Sequence, residues 1–425
     1  MTITLFIASL LGLMALGMPI AFALILTGVV LMYHLDFFDA QLVAQNLIAG
    51  ADSFPLMAVP FFILAGELMN AGGLSKRIIA LAVSFVGHIR GGLGFVAIAA
   101  AVVLASLSGS AIADTAALAT LLIPMMRDNG YPIPRASGLI AAGGIIAPII
   151  PPSMPFIIFG VTTNTSISQL FLAGIAPGLV MGMGLVLAWS LLMRDSPLET
   201  QPRQGWGQRL RALGEGVWAL LLPVIILGGL RGGVFTPTEA AVVAAVYSLV
   251  ISLLVYRELR WRELLPLLVQ ATRTTSVVMF LCAAAMVSSY MITLADLPAQ
   301  VAELLAPLLD SPRLLMAAII GLMLMVGMVM DLTPTILILA PVLMPLVSKA
   351  GIDPVYFGVM FILVGSVGLI TPPVGTVLNV VGGVARLPME RVVRGISPFL
   401  LTYIVILALF VGFPGLITVP ARLFY

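Results

Sequence analysis

Apolar stretches long enough to cross a lipid bilayer follow one another along most of this sequence. Hydrophobic residues make up 61% of the 425 residues and charged residues only 9%, against about 25% charged in an ordinary soluble domain. Because so few charged side chains cannot cover a water-soluble surface, lipid must surround much of the chain. Hydrocarbon forces every backbone polar group to pair internally, which favours helices. The sequence therefore predicts an all-α polytopic membrane protein.

Charge, cysteine content and motifs exclude several classes of function. A formal net charge of +2 does not indicate a nucleic-acid binder. The single cysteine, Cys282, excludes a disulfide within the chain and a thiol metal site. There is no HExxH motif, no Walker A loop and no nucleophile motif paired with a mid-membrane histidine. The sequence therefore predicts that the chain is not an enzyme.

The N-terminal apolar stretch and the arginines predict how the chain crosses the membrane. Residues 1–33 lack a basic n-region and exceed signal-peptide length, so we expect them to stay as a membrane helix with a kink near Pro19 or an overhang. Arginines concentrate in residues 194–214, residues 257–264 and the cluster around Arg391. The positive-inside rule places these regions in the cytoplasm, with the N-terminus cytoplasmic and the C-terminus periplasmic.

An internal repeat divides the chain. A shift of 221 residues superposes residues 124–178 on residues 345–399 without a gap. The glycines and prolines that coincide are Pro124 with Pro345, Gly130 with Gly351, Gly144 with Gly365, Pro151 and Pro152 with Pro372 and Pro373, Gly174 with Gly395, and Pro177 with Pro398. Coincident glycines and prolines predict coincident breaks in the backbone.

The repeat predicts two halves of opposite orientation. We expect the first half to cross the membrane an even number of times, near residues 3–32, 54–72, 136–160 and 168–193. A further membrane helix then inverts the second half, and inverted halves are typical of secondary transporters. The predicted domains are residues 1–212 (first repeat), 213–232 (connecting helix) and 233–425 (second repeat).

Each half contains a hairpin whose arms are too short to span. The predicted re-entrant hairpins are residues 93–126, turning at SLSGS (106–110), and residues 314–348, turning at MDLTPT (330–335). Each is followed by a helix that prolines interrupt: residues 136–160, broken at 147–153, and residues 355–384, broken at 370–376. In a bilayer, the carbonyl groups freed by such breaks survive only where protein, water or an ion satisfies them.

Free carbonyls beside serine and threonine hydroxyls suit a small alkali cation, and helix N-termini suit a carboxylate. We therefore expect Na⁺ as coupling ion for a small organic anion. The candidate cation ligands in the first half are Ser106, Ser108, Ser110 and the backbone near Ala147 and Ile150; in the second half they are Asp331, Thr333, Thr335 and the backbone near Leu369 and Thr371. The candidate substrate contacts are Ser110, Ser153, Thr376 and Asn379, with Asp331 assigned to both the ion and the substrate.

Simpler explanations exist for each of these residues. A Ser-Gly-Ser turn also permits close helix packing, and isolated Gly or Pro breaks also make plain kinks. Asp114 must be protonated, paired or facing a wet cavity. Three roles are open for Glu67 and for Glu239: a structural hydrogen bond between helices, a charge at a helix N-terminus, or a functional group. A channel is compatible with the breaks, although paired re-entrant hairpins suit alternating access better.

Several ordered motifs resemble one transporter family over essentially the whole chain. They are PFFILAGELMNAGGLSKRI (60–78), SLSGSAIADTAA (106–117), GGIIAPIIPPSMPFIIFG (143–160), GMVMDLTPT (327–335) and GLITPPVGTVLNV (368–380). They resemble the large membrane subunit of tripartite ATP-independent periplasmic (TRAP) transporters, within that family the sugar-acid or diketogulonate type. The resemblance implies a sodium-driven inner-membrane transporter with an elevator mechanism, a soluble periplasmic substrate-binding protein and a separate small four-helix membrane subunit.

The resemblance also implies positions for the ligands. Sodium would bind near Ser106 and Ser108 with the 147–150 break, and near Asp331 and Thr333 with the 369–372 break; the carboxylate would sit near Ser110 and Ser153. The leading hypothesis is sodium-coupled import of a small dicarboxylate or sugar acid delivered by a binding protein. The alternatives are a stand-alone sodium-coupled dicarboxylate symporter and a non-transporting membrane assembly protein.

Overall fold

Helices account for nearly all of the structure. The computed structural model describes residues 2–194, 203–304, 308 and 311–423. The helices in chain order are α1 (Thr2–Ala15), α2 (Ile20–His34), α3 (Ala40–Ala51), α4 (Ala58–Ala71), α5 (Leu74–Val86), α6 (Gly92–Ser108), α7 (Ala111–Asp128), α8 (Ile133–Gly144), α9 (Met154–Thr163), α10 (Ile167–Leu192), α11 (Trp206–Arg231), α12 (Pro237–Val250), α13 (Trp261–Leu294), α14 (Leu297–Leu304), α15 (Pro312–Gly327), α16 (Leu332–Lys349), α17 (Pro354–Gly368), α18 (Thr376–Ala385), α19 (Met389–Gly412) and α20 (Gly415–Leu423).

Seven helical segments of the described chain are long and apolar enough to cross a membrane. Among them are α10, α11, α13 and α19, and α11 coincides with the predicted connecting helix. Many large side chains remain exposed on these helices, for example Leu187 at 64% and Val277 at 66%. Such surfaces suit lipid, so the prediction of an all-α polytopic membrane protein is confirmed.

The N-terminal stretch is two helices rather than one long one. Helix α1 ends at Ala15 and α2 begins at Ile20, directly after Pro19. Proline has no backbone N–H and fixes its own φ, which makes it a good residue to precede a helix but a poor one inside it. The kink predicted near Pro19 is therefore confirmed, as a complete interruption of the helix.

Both predicted hairpins are pairs of helices, of 17 and 18 residues in the first half and of 16 and 18 residues in the second. The expectation that every arm is too short to span is wrong for α16, which is among the seven segments long and apolar enough to cross a membrane. Helices α6 and α7 meet at residues 109–110, and α15 and α16 meet at residues 328–331. The second turn is shorter than the predicted 330–335 because Asp331 caps α16, so that the helix already begins at Leu332. Pro334 fits inside that first turn, where no intrahelical donor is required of its nitrogen.

Both predicted broken helices are broken in the structure. Helices α8 and α9 are separated by residues 145–153, and α17 and α18 by residues 369–375. The Pro151–Pro152 and Pro372–Pro373 peptide bonds are both cis. The inverted relation of the halves, their bounds at 1–212, 213–232 and 233–425, and the membrane orientation stay predictions. Part of the basic 194–214 stretch, residues 195–202, lies outside the described residues, as does the C-terminal Tyr425.

Glycines allow α8 and α19 to cross with their backbones in contact. A Cβ atom on Gly395 would lie 1.8 Å from the carbonyl oxygen of Pro134, and one on Gly138 would lie 2.4 Å from the carbonyl carbon of Gly395. The buried Tyr403 hydroxyl donates to the Ala142 carbonyl oxygen at 2.7 Å. This crossing fixes the first arm of one broken helix against α19.

Glu239 has a structural role at the start of α12. Its carboxylate accepts from the Thr236 backbone N–H at 2.8 Å, and its own N–H donates to the Thr236 hydroxyl at 3.3 Å. This reciprocal pair is a capping box, which satisfies two helix-terminal donors. Of the readings open for Glu239, the helix N-terminal charge is therefore confirmed.

Candidate functional site

The first hairpin tip is built around a glycine in the left-handed region. Gly109 has φ +63°, and a Cβ atom there would lie 2.9 Å from the Pro152 carbonyl oxygen and 3.2 Å from Ser153 Cα. The next residue, Ser110, caps α7, its hydroxyl accepting from the Ala113 N–H at 3.3 Å. The tip thus lies against the break of the first broken helix, with the N-terminus of α7 beside it.

A partly buried hydrogen bond between Ser108 and Asp114 holds this tip in place. The Ser108 hydroxyl donates to Asp114 Oδ1 and accepts from the Ser110 backbone N–H at 3.1 Å. Asp114 is 3% exposed, and its Oδ2 atom has no hydrogen-bond partner among the described residues. A hydrogen bond from a neutral hydroxyl does not decide among the readings open for Asp114, which stay protonated, paired or facing a wet cavity. Ser108 was predicted as a cation ligand, and its hydroxyl is engaged here by the carboxyl group.

The break between α8 and α9 leaves carbonyl oxygens unpaired. Ser153 is fully buried; its hydroxyl donates to the Pro148 carbonyl at 2.5 Å and accepts from the Phe156 N–H, capping α9. No hydrogen-bond donor reaches the carbonyls of Ala147 or Ile150 from the described part of the chain. Because both residues are buried, these oxygens are suited to an ion or a water molecule.

The second tip carries a carboxylate where the first carries a hydroxyl. Asp331 Oδ1 accepts from the Leu332 N–H at 2.8 Å, and the Thr335 hydroxyl donates to the Asp331 carbonyl at 2.8 Å. Asp331 is partly exposed, whereas Thr335 is 1% exposed. The second carboxylate oxygen of Asp331 accepts no hydrogen bond from the residues that the structure describes, so this oxygen remains able to bind a ligand.

The second break packs tightly against this hairpin. Cβ atoms built on Gly327 and Gly368 would lie 2.9 Å and 2.7 Å from the opposite glycine's Cα. The Gly375 N–H donates to the Met328 carbonyl at 3.4 Å, and the Val377 N–H to the Leu369 carbonyl at 3.2 Å. The second hairpin and its broken helix are therefore joined backbone to backbone.

The two tips and both breaks face one cavity of about 70 Å³. From the first half it is lined by Ser110 and Pro148, and from the second by Asp331, Thr333 and Leu369. The N-termini of α7 and α16 lie at its edge, because Ser110 and Asp331 are the residues that cap them. Helix N-termini attract anions, and the carboxylate and carbonyl oxygens attract cations. We call this space the tip cavity.

The structure brings together some of the predicted site residues and leaves others apart. Those that line the tip cavity are Ser110, Asp331, Thr333 and Leu369. Those that do not line it are Ser106, Ser108, Ala147, Ile150, Ser153, Thr335, Thr371, Thr376 and Asn379. Their roles stay predictions.

Several of the residues outside the tip cavity have local roles. The Ser106 hydroxyl donates to the Val103 carbonyl at 2.6 Å, and that of Thr371 to the Val367 carbonyl at 2.7 Å. The Asn379 amide donates to the Val374 carbonyl at 3.3 Å. The buried Thr376 hydroxyl has no partner among the described residues. Glu67 is partly buried near the C-terminal end of α4, so it is not a helix N-terminal charge, and its other two possible roles stay undecided.

Sequence reasoning missed the wall that distant helices give this site. Val278 of α13 lines the tip cavity, together with Met154, Pro155 and Ile158 of α9. A cleft of about 660 Å³ is also lined by Asp331 and Thr333, together with Pro19 and Ser276. These wall residues are apolar side chains or a single serine, so no motif in the sequence marks them as part of a site.

The contact at the first tip gives a testable prediction. Gly109→Ala combines left-handed strain, about 1–2 kcal/mol, with a Cβ 2.9 Å from the Pro152 carbonyl. We expect a lower thermal unfolding temperature and reduced uptake. Gly351→Ala is the matched control, because Gly351 has φ +69° with nothing within 4 Å of its Cβ. Equal losses in the two variants would show that backbone strain alone acts, and that the tip contact contributes nothing.

An all-helical membrane protein in which two helix breaks and two hairpin tips share one cavity has the construction of a secondary transporter. Residues 7–416 match the family described as the tripartite ATP-independent periplasmic transporter, DctM component. The chain belongs to this family, and it is therefore a transporter component and not an enzyme.

Individual relatives cover nearly the full chain. The chain is 57% identical over 422 residues, 99% of both proteins, to the 2,3-diketo-L-gulonate TRAP transporter large permease protein YiaN of Escherichia coli (strain K12). It is 39% identical, over 97% of both proteins, to the sialic acid TRAP transporter large permease protein SiaM of Vibrio cholerae. It is 37% identical, over 88% of this chain and 87% of that protein, to the C4-dicarboxylate TRAP transporter large permease protein DctM of Pseudomonas aeruginosa.

A solved structure shares the fold. The Alcanivorax borkumensis YdaH transporter superposes with a TM-score of 0.64 over 87% of each chain, at 16% sequence identity. At so low an identity the likeness concerns the fold alone.

Proposed function

We propose that the chain is the large permease subunit of a sodium-coupled inner-membrane transporter that imports a small organic acid. The single observation that carries the proposal is the tip cavity, where Ser110 and Asp331 meet at the N-termini of α7 and α16. One cavity therefore offers an anion-attracting helix end at α7 and, at the α16 end that Asp331 caps, a carboxylate for a cation. An elevator movement of the hairpins and broken helices would carry this cavity between the two sides of the membrane.

Sodium is the cation that the oxygen groups suit. The unpaired carbonyls of Ala147 and Ile150 lie in one break, and the Thr371 carbonyl, which no described donor reaches, lies in the other. Asp331 and Thr333 add a carboxylate and a hydroxyl at the second tip. Hard oxygen ligands of this kind suit alkali cations, and no cluster of His, Cys, Asp or Glu for a transition metal occurs in the described residues.

The substrate that we propose is a sugar acid of the diketogulonate type. The support is the relative that is 57% identical over 99% of both chains, whose name specifies 2,3-diketo-L-gulonate. Relatives named for sialic acid and C4-dicarboxylates are 39% and 37% identical. The substrates in these names are all carboxylates, which agrees with a cavity edged by helix N-termini.

The partners that we propose are a periplasmic substrate-binding protein and a separate small membrane subunit with four helices. The support is the family description, which names a tripartite periplasmic transporter with this family as one component. The binding protein would deliver the acid, and the membrane pair would move it.

Reconstitution tests the tripartite proposal. Proteoliposomes that contain the chain and the small subunit should take up 2,3-diketo-L-gulonate only when the binding protein and an inward sodium gradient are both present. Liposomes with the chain alone are the control. Uptake by the chain alone, undiminished without a binding protein, would contradict the proposal and favour the stand-alone sodium-coupled dicarboxylate symporter.

The sodium requirement has its own test. Because both breaks present oxygen ligands, we expect more than one sodium ion to enter with each solute molecule. Parallel measurement of labelled sodium and labelled solute fluxes gives the ratio directly. A ratio of one to one would leave one of the two breaks without an ion.

A further inference from the structure

A second cavity, of about 420 Å³, lies beside the tip cavity. The same helix, α9, bounds both. Pro155 and Ile158 face the tip cavity, whereas Ile158, Thr162 and Asn164 face the second one. From Pro155 to Thr162 the helix rises about 10 Å at about 1.5 Å per residue. The two spaces therefore lie about one small-solute length apart, with Ile158 between them. We call the second space the α9–α13 cavity.

The polar groups of this cavity come from three elements; Ser53 and Ser289 are partly buried, and Asn164 is exposed. Ser53 precedes the 3₁₀ turn before α4, Asn164 ends α9, and Ser289 lies on α13. Their side chains make no hydrogen bond with any residue that the structure describes. The Thr162 hydroxyl donates to the Ile158 carbonyl at 2.7 Å and keeps its capacity to accept. Four hydrogen-bonding groups therefore surround a space large enough for a small organic molecule.

None of the described residues that line this cavity is charged. A second carboxylate of a dicarboxylic acid would lose its water there without a cation to replace it. The hydroxyl groups of a sugar acid can instead donate to and accept from serine, threonine and asparagine. Sites built from such groups discriminate strongly against ligands that lack the matching hydroxyls.

We propose that the α9–α13 cavity is a binding site for the hydroxylated chain of a monocarboxylate on its way to or from the tip cavity. The proposal rests on the proposed function, because it takes a small organic acid as the solute. It goes further by assigning the preference for a sugar acid over a dicarboxylate to Ser53, Thr162, Asn164 and Ser289.

Protection of an engineered thiol tests the proposal. Cys282 is the only cysteine of the sequence and itself lines this cavity, so it is replaced by alanine, which adds no hydrogen-bonding group. Met286→Cys in this Cys282→Ala background places a single reactive thiol on the cavity wall, where Met286 is 43% exposed. The full chain in lipid nanodiscs is labelled with a maleimide in sodium buffer, with and without 2,3-diketo-L-gulonate or succinate. At a concentration about ten times its dissociation constant, the sugar acid should slow labelling about tenfold, and succinate should not.

Matched variants isolate the cause of the protection. Tyr290→Cys in the same background is the control on α13, since Tyr290 is 38% exposed and does not line the cavity; its labelling should not respond to either acid. Adding Ser289→Ala, inside α13, to Met286→Cys should weaken protection about threefold to tenfold. Should Met286→Cys fail to fold, thermal stabilisation of the native chain by the sugar acid, reduced in Ser289→Ala, takes its place.

Two results would overturn the proposal: equal labelling of Met286→Cys with and without the sugar acid, or equal protection by succinate. Uptake of the sugar acid is measured in parallel with the native chain reconstituted together with the small subunit, the binding protein and a sodium gradient. Uptake without protection would refute the α9–α13 site and leave the proposed function standing. Protection without uptake would refute the proposed function and leave the binding site.

Discussion

Asp331→Asn is expected to lower sodium-driven uptake about 10-fold to 100-fold, the cost of one hydrogen bond or ligand contact to a charged group. Asparagine caps helices as well as aspartate does. The bond to the Leu332 N–H, 2.8 Å in the native chain, is therefore retained. What is lost is the negative charge that Asp331 contributes to the tip cavity. The measurement is initial uptake by the reconstituted system over a range of sodium concentrations, with the apparent sodium affinity as the main readout.

Asp353→Asn is the matched control for this experiment. Asp353 also caps a helix, α17, by accepting from the Val355 and Tyr356 N–H groups at 2.8 Å and 2.9 Å, but it does not line the tip cavity. Its substitution should leave uptake unchanged. If Asp331→Asn keeps native uptake and native sodium dependence, and Ser110→Ala does too, neither tip binds a ligand. Uptake would then pass through another component of the reconstituted system, and this chain would be a non-transporting membrane assembly protein.

Gly395→Ala is expected to cause the largest loss of stability. Its Cβ would lie 1.8 Å from the Pro134 carbonyl oxygen, and a backbone atom cannot move aside as a side chain can. Overpacking of this kind costs about 1–3 kcal/mol and occasionally more. The α8–α19 crossing should open, with a lower unfolding temperature in detergent and less folded protein in the membrane. Because α8 leads into the first break, uptake should fall with it.

Gly321→Ala provides the comparison for the glycine variant. Gly321 lies inside α15 with nothing within 4 Å of a Cβ atom. Alanine in an open helical position should stabilise by about 0.5–1 kcal/mol. An unfolding temperature for Gly395→Ala equal to that of the native chain would show that α8 and α19 can separate without cost, and so are not held by this contact.

The sequence predicted the backbone breaks well because glycine and proline act locally. Pro19, the 147–153 stretch and the 370–376 stretch each interrupt a helix close to the predicted position. The ends of the hairpin arms were also readable, since Ser110 and Asp331 are capping residues at the start of an apolar run. Local chemistry of this kind needs no knowledge of tertiary contacts.

The sequence could not predict which polar groups would remain free. Ser106 and Ser108 belong to the same SLSGS turn as Ser110. In the folded tip the Ser106 hydroxyl donates to the Val103 carbonyl and the Ser108 hydroxyl donates to Asp114, whereas Ser110 lines the cavity. Val278 and Ser289 act through the packing of α13 against helices distant in sequence. The approach of Gly395 to Pro134 likewise depends on a helix crossing that no local pattern encodes.

Asp331 is the single ionisable side chain among the described residues that line the tip cavity. If two sodium ions, one at each break, and a monocarboxylate in the tip cavity accompany ionised Asp331, their charges sum to zero, and the empty protein keeps one negative charge there. An interior-negative membrane voltage would then leave the inward step unaffected and drive the return of the empty protein, by about 2.3 kcal/mol per 100 mV. The membrane voltage would thus change the turnover rate by changing the rate at which the empty transporter returns to the outward-facing state.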